Sequence, residues 1–77
     1  MTQVRFFAAA EEAAGRANEH RAEQRLLALR QALVHDYPAL AGILPRCAVL
    51  VDGVRHDGDT DLTGAETVDI LPPFAGG

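Results

Sequence analysis

Hydrophobic and polar positions alternate from Gln3 to Phe7 (Gln-Val-Arg-Phe-Phe), the pattern of a half-buried strand. Val4 and Phe6 are expected on the core side, with Arg5 and Phe7 on the other. The Ala-rich stretch Ala8 to Gly15 suits a helical turn stopped by Gly15. Asn18 to Gln24 is polar, and propensity alone merges it into the helix after it, although a second strand also fits the order of elements. From Leu26 to Tyr37 the period changes: Leu26, Leu29, Leu33 and Tyr37 recur at helical steps, with Leu27 and Val34 expected to widen the stripe. Arg30, Gln31 and Asp36 fall on the opposite face, and Pro38 ends the helix. His35 lies in the last turn, where a partial positive charge suits the helix dipole.

Leu40, Ile43 and Leu44 make a short apolar cluster before Pro45. Cys47 to Val51 is a continuous apolar run of strand length, and Asp52-Gly53 before Val54-Arg55 signals a hairpin. Cys47 is expected to be a small buried hydrophobe. Carboxylates alternate in Asp57-Gly58-Asp59-Thr60-Asp61, but a calcium loop of the EF-hand type needs a Glu at its twelfth position, where Val68 stands. A solvated turn is the expectation. Alternation returns at Thr67 to Leu71, with Val68 and Ile70 inward and Thr67, Asp69 and Leu71 outward. The element order describes a small α+β domain whose last strand can lie parallel beside the first, because a helix crossover separates them.

Composition narrows the function. The chain of 77 residues allows one small domain, with only marginal stability from its own core. One cysteine excludes an internal disulfide, and three scattered histidines with one thiol make a poor metal set. Partner binding is the remaining source of support. The net charge of −4 argues against nucleic acid as a partner. No long apolar run follows the N-terminus, so neither a signal peptide nor a membrane span is expected, and the cytoplasm is the expected location. All seven basic residues are Arg, so the chain holds no side-chain amine that could be acylated.

The candidate chemistry lies in the ending Pro72-Pro73-Phe74-Ala75-Gly76-Gly77. Two prolines end the strand and hold an extended direction, at about 3.1 Å per residue. Gly76 and Gly77 lack Cβ and can thread a narrow channel. A carboxylate presented this way is a poor electrophile until adenylation with ATP supplies a leaving group. A sulfur nucleophile can then displace the nucleotide and leave a thiocarboxylate, whose sulfur is nucleophilic at neutral pH. The domain is therefore expected to span 1–71 and an extended tail 72–77.

The opening Val4-Arg5-Phe6-Phe7-Ala8-Ala9-Ala10-Glu11-Glu12-Ala13-Ala14-Gly15, the turn Val51-Asp52-Gly53-Val54, and the ending Asp69-Ile70-Leu71-Pro72-Pro73-Phe74-Ala75-Gly76-Gly77 together resemble the small subunits of molybdopterin synthase. The resemblance covers nearly the whole chain. It implies a ubiquitin-like β-grasp fold, with a mixed sheet packed on one main helix and a projecting Gly-Gly tail. It also implies a sulfur carrier in molybdenum cofactor synthesis, a subunit of a sulfurtransferase complex with no active site of its own. Gly77 then bears first the adenylate and then 1-thioglycine, and Gly76 provides clearance. ATP is consumed by a ubiquitin-activating-like adenylating enzyme, and no cofactor is bound. The large synthase subunit, joined in a heterotetramer, receives the tail and passes the sulfur to a cyclic pyranopterin monophosphate. Phe7, Leu71, Pro72, Pro73 and Phe74 are implied as the partner-binding surface, provided the Ala8–Gly15 segment does not cover that face. The region Asn18 to Arg25 departs from the family pattern, since Glu23-Gln24-Arg25 offers no N-capping Ser or Thr. Carriers for thiamine or cysteine synthesis, a ubiquitin-like modifier of other proteins, and an inert interaction module remain as alternatives.

Overall fold

Burial follows the alternation of the first strand. The computed structural model describes residues 1–73, and in it β1 (Thr2–Phe6) buries Thr2, Val4 and Phe6 while Arg5 stays exposed. A short helix α1 (Ala9–Ala14) follows, ended by Gly15 at φ 74, whose N–H donates to the Glu11 carbonyl at 2.8 Å. Strand β2 (Asn18–Arg21) returns antiparallel along β1, and helix α2 (Leu26–Asp36) crosses the sheet. Two 3₁₀ turns, Pro38–Gly42 and Leu44–Arg46, lead to the hairpin of β3 (Ala48–Val51) and β4 (Val54–Arg55). Strand β5 (Thr67–Leu71) closes the sheet in the order β2-β1-β5-β3-β4. Val4 stands opposite Val68 and Phe6 opposite Ile70 in the parallel β1–β5 ladder. The expected pairing of first and last strands is present.

The core lies between the inner sheet face and α2. Leu26, Leu29 and Leu33 of α2 pack with Val4, Phe6, Val49, Val68 and Ile70. Phe6 meets the Tyr37 ring edge-to-face at 6.1 Å between centroids. Leu27 does not join the stripe; it is 51% exposed, because it sits about 100° around the axis from Leu26. The run Cys47–Val51 also resolves into two faces. Cys47, Val49 and Val51 are buried, whereas Ala48 and Leu50 are half-buried on the outer side. Among the described residues, no helix is long and apolar enough to cross a membrane.

Polar side chains explain the stretch that propensity misassigns. Asn18 to Arg21 is a strand because β1 offers it an open edge, with Val4 opposite Glu19 and Thr2 opposite Arg21. The Arg21 guanidinium donates to Glu19 and Glu23, each at 2.9 Å, and to Asp36 at 2.8 Å, which ties the edge strand to the end of α2. Glu19 also accepts from the Tyr37 hydroxyl. No local side chain caps α2, as the sequence around Arg25 suggests. The cap comes from the acidic loop instead: Leu27 N–H donates to Asp59 Oδ1 at 2.8 Å, and Leu26 N–H to the Thr60 carbonyl at 2.9 Å. Asp61 accepts from Thr63 N–H and Asp57 from Arg55, so the carboxylate series is used in turns and ion pairs. The Asp52-Gly53 turn has φ 48 and φ 84, the two left-handed residues of a type I′ hairpin.

Two outcomes test this architecture. Leu29→Ala should cost about 2–5 kcal/mol in denaturant unfolding; a smaller loss would mean that the core does not close on α2. The Leu27 N–H foremost, with help from Arg25, holds the Asp59 carboxyl below its usual range. A depressed pKa stabilises the fold above the ordinary carboxylate value, about 3.9, and that contribution is lost as pH falls through the depressed value. Asp59→Ala should therefore lower the thermal midpoint at neutral pH and make the decline below about pH 4 shallower. Parallel pH profiles for the two proteins would remove Asp59 from the cap.

Candidate functional site: the groove at the tail exit

Strand β5 is hydrogen-bonded to β1 on one side and β3 on the other, so the chain leaves the sheet from its middle. Leu71 is its last residue, and Pro72 and Pro73 then remove two ladder donors. Phe7 N–H donates to the Ile70 carbonyl at 3.2 Å, carrying the β1–β5 pairing one step beyond β1. On the other side Ala48 pairs with Leu71. Phe7, Leu71 and Ala48 thus share the outer face at the end of the sheet where the tail departs.

These residues line a groove of about 440 Å³ with Ala8, Arg46, Arg55, Pro72 and Pro73. The structure therefore gathers Phe7, Leu71, Pro72 and Pro73, four of the residues singled out in the sequence, at one place. Phe74, Gly76 and Gly77 lie outside the described residues. Phe7 is 40% exposed, and α1 does not cover it, because that helix turns Ala10 and Ala14 into the core. A larger hollow of about 540 Å³ lies at the opposite ends of β1 and β5, between Met1, His20 and Gly64, and none of the predicted site residues lines it.

Next along the outer face, Arg5 and Asp69 stand opposite each other in the parallel ladder. The Arg5 guanidinium grips the carboxylate with two bonds, of 2.5 and 2.8 Å. This explains how Asp69 is buried although it points away from the core. Cys47 lies between groove residues in sequence but faces inward. Its thiol donates to the Ile43 carbonyl at 3.2 Å, and burial pushes its pKa up, partly offset by Arg30. That environment disfavours the thiolate.

Arg46, Ala48, Arg55 and Ala8 were not legible as groove residues. Ala48 was hidden in an unbroken apolar run, and Arg55 reaches the groove only through its pairing opposite Leu50. Ala8 carries a different signal. It has φ 50 and ψ −125, and the Ala10 N–H donates to the Phe7 carbonyl at 3.0 Å. These are the features of the first central position of a type II′ turn, usually occupied by glycine.

A model of the ThiS family matches residues 4–77, the groove and the Gly-Gly ending included. The chain belongs to the ThiS family. Solved structures agree on the fold. The small archaeal modifier protein 1 of Methanosarcina acetivorans superposes with a TM-score of 0.75 at 22% identity, covering 99% of this chain and 95% of that one. The protein of the same name from Haloferax volcanii gives a TM-score of 0.68 at 21% identity, covering 99% and 98%. The HVO 2177 protein of Haloferax volcanii also gives 0.68, at 26% identity, covering 99% and 85%. A sequence search of curated proteins finds no match. This ThiS-family chain is thus a ubiquitin-like β-grasp protein of the sulfur-carrier type, the type that includes the small subunits of molybdopterin synthase.

The strained turn beside the groove yields a measurable outcome. Ala8→Gly should stabilise the ThiS-family domain by about 1 kcal/mol, the relief of left-handed strain exceeding the added freedom of the unfolded chain. Ala8→Val should destabilise it, since a branched side chain tolerates positive φ least. Denaturant midpoints decide, and destabilisation by Ala8→Gly would contradict the turn geometry.

Proposed function

We propose that this ThiS-family protein is the sulfur-carrying small subunit of molybdopterin synthase, working through a free carboxylate at Gly77. The observation that carries this reading is the groove of Phe7, Leu71, Pro72 and Pro73 at the exit of a strand anchored on both sides. A partner seated there holds the base of the tail, and an extended run of residues 72–77 places Gly77 up to about 19 Å away, inside the partner. Gly76 gives that path its clearance.

The chemistry needs two enzymes besides the carrier. In the first, a ubiquitin-activating-like enzyme, the Gly77 carboxylate attacks the α-phosphate of ATP and pyrophosphate leaves. Hydrosulfide, the sulfur donor, then attacks the acyl carbon, AMP leaves with the bonding electron pair, and the thiocarboxylate of 1-thioglycine remains. In the second, the large synthase subunit, the thiocarboxylate sulfur attacks a carbon of a cyclic pyranopterin monophosphate, whose oxygen substituent leaves with the bonding electron pair. Water then cleaves the acyl–sulfur bond of the resulting thioester, so that the sulfur stays on the pterin and the Gly77 carboxylate is restored. The carrier raises the local concentration of a dilute nucleophile and contributes no acid or base of its own. The cytoplasm is the proposed setting, and the absence of lysine leaves the activated tail no side-chain amine of its own chain to acylate.

A second reading, a modifier attached to other proteins, draws on the likeness to structures named as small archaeal modifier proteins. One experiment separates the readings. The chain is incubated with ATP, an activating enzyme and a sulfur donor, and its intact mass is followed. Exchange of one oxygen for sulfur at Gly77, and conversion of the pyranopterin by the large subunit, are the expected results. Deleting Gly77 or extending the chain beyond it should abolish both with folding intact. Sulfur loading with transfer only to a thiazole or cysteine precursor would assign another pathway, and covalent ladders on other proteins would assign the modifier role.

A further inference from the structure

We propose that the groove at the tail exit selects partners with an apolar projection flanked by carboxylates, and that Arg46 and Arg55 make the charged contacts. This rests on the reading of the groove as the docking face of a sulfur carrier, and it adds what kind of surface docks there. The first observation is how charge is distributed. Eleven Asp and Glu outnumber seven Arg in the chain, yet the described residues lining the groove include two Arg and no carboxylate. An acidic molecule presents a cationic rim at the one face from which its tail leaves.

The rim is also one-sided. Arg46 ends the second 3₁₀ turn and Arg55 ends β4, so both flank Ala48 on the β3–β4 side, whereas Phe7 and Ala8 form the β1 side. A partner must therefore match an apolar wall on one side and cations on the other, which fixes the direction in which the tail enters. Local pairing leaves these cations available. Arg5, the neighbouring outer-face cation, is held in its two-pronged bond to Asp69. Arg55 touches Asp57 at 3.1 Å, but their side chains are 63% and 86% exposed, and such surface pairs exchange readily. A guanidinium is weakly hydrated and pairs with carboxylate through two parallel bonds, which suits a contact that loses water on docking. Opposite charges across an interface chiefly raise the association rate and fix register, and salt weakens the effect.

The test uses the full chain with the adenylating enzyme of the same cells, read as the KM for the carrier in ATP–pyrophosphate exchange at low and high NaCl. Arg46→Gln with Arg55→Gln should raise KM about tenfold at low salt, leave kcat unchanged, and flatten the salt dependence. Gln24→Glu with Gln31→Glu shifts the net charge equally on exposed sites away from the groove, and should leave KM near that of the unaltered chain. Equal effects of the two pairs, or an unchanged KM and salt slope for the arginine pair, would overturn the proposal. Phe7→Asp, and Pro73→Asp on an exposed residue outside the strands, tell the two levels apart. If these raise KM and the arginine pair does not, the groove docks by apolar contact alone and only the charge inference fails. If the unaltered KM survives in all of them, the groove is not the docking face.

Discussion

The hydrogen-bonded seating of β5 between β1 and β3 is the constraint on which the rest of the molecule depends. A terminal strand at a sheet edge can fray, but one paired on both sides cannot leave without breaking two ladders. The residues that follow Leu71 therefore start from a strand anchored on both sides. The same pairing places Phe7 beside Leu71 and Ala48 opposite it, so the apolar groove and the anchor of the tail arise from one register.

A core of this size cannot hold every element by apolar burial alone, and polar contacts between distant residues take over part of the work. Asp59 and Thr60 satisfy the first amides of α2, and Arg21, which also binds Glu19 and Glu23, joins β2 to the end of that helix through Asp36. Arg5 and Asp69 brace the outer face between β1 and β5. Much of the abundant charge of the chain is thus structural. Against that background the cationic rim of the groove stands out, as does the strained turn at Ala8 next to it. Strain and loosely paired charge at one end of a sheet are what a binding face tolerates and a purely structural face discards.

Elements with strong periodicity were legible from the chain: β1, α2 and β5 stand within one residue of where alternation or helical spacing puts them, and the hairpin stands where the Asp52-Gly53 dipeptide puts it. The parallel neighbour relation of β1 and β5 was legible too, since a crossover helix separates them. The β2 strand was not legible, because its four residues Asn18–Arg21 carry no apolar alternation and owe their extended form to the free edge of β1. The cap of α2 was missed for a similar reason, since Asp59 lies 32 positions beyond Leu27 in the chain. At the site, Phe7, Leu71 and the prolines could be named in advance, whereas Arg46, Ala48 and Arg55 could not, because strand pairing and the turn before β3 bring them there.

By itself, the sequence determined which residues turn inward and that the strand Thr67–Leu71 runs into two prolines and a Gly-Gly ending, because side-chain period and proline chemistry are local properties. Only the tertiary structure decided what stands beside that exit. Sheet order and register bring residues separated by dozens of positions within contact, and a groove whose described lining comes from four stretches of the chain has no local pattern to announce it.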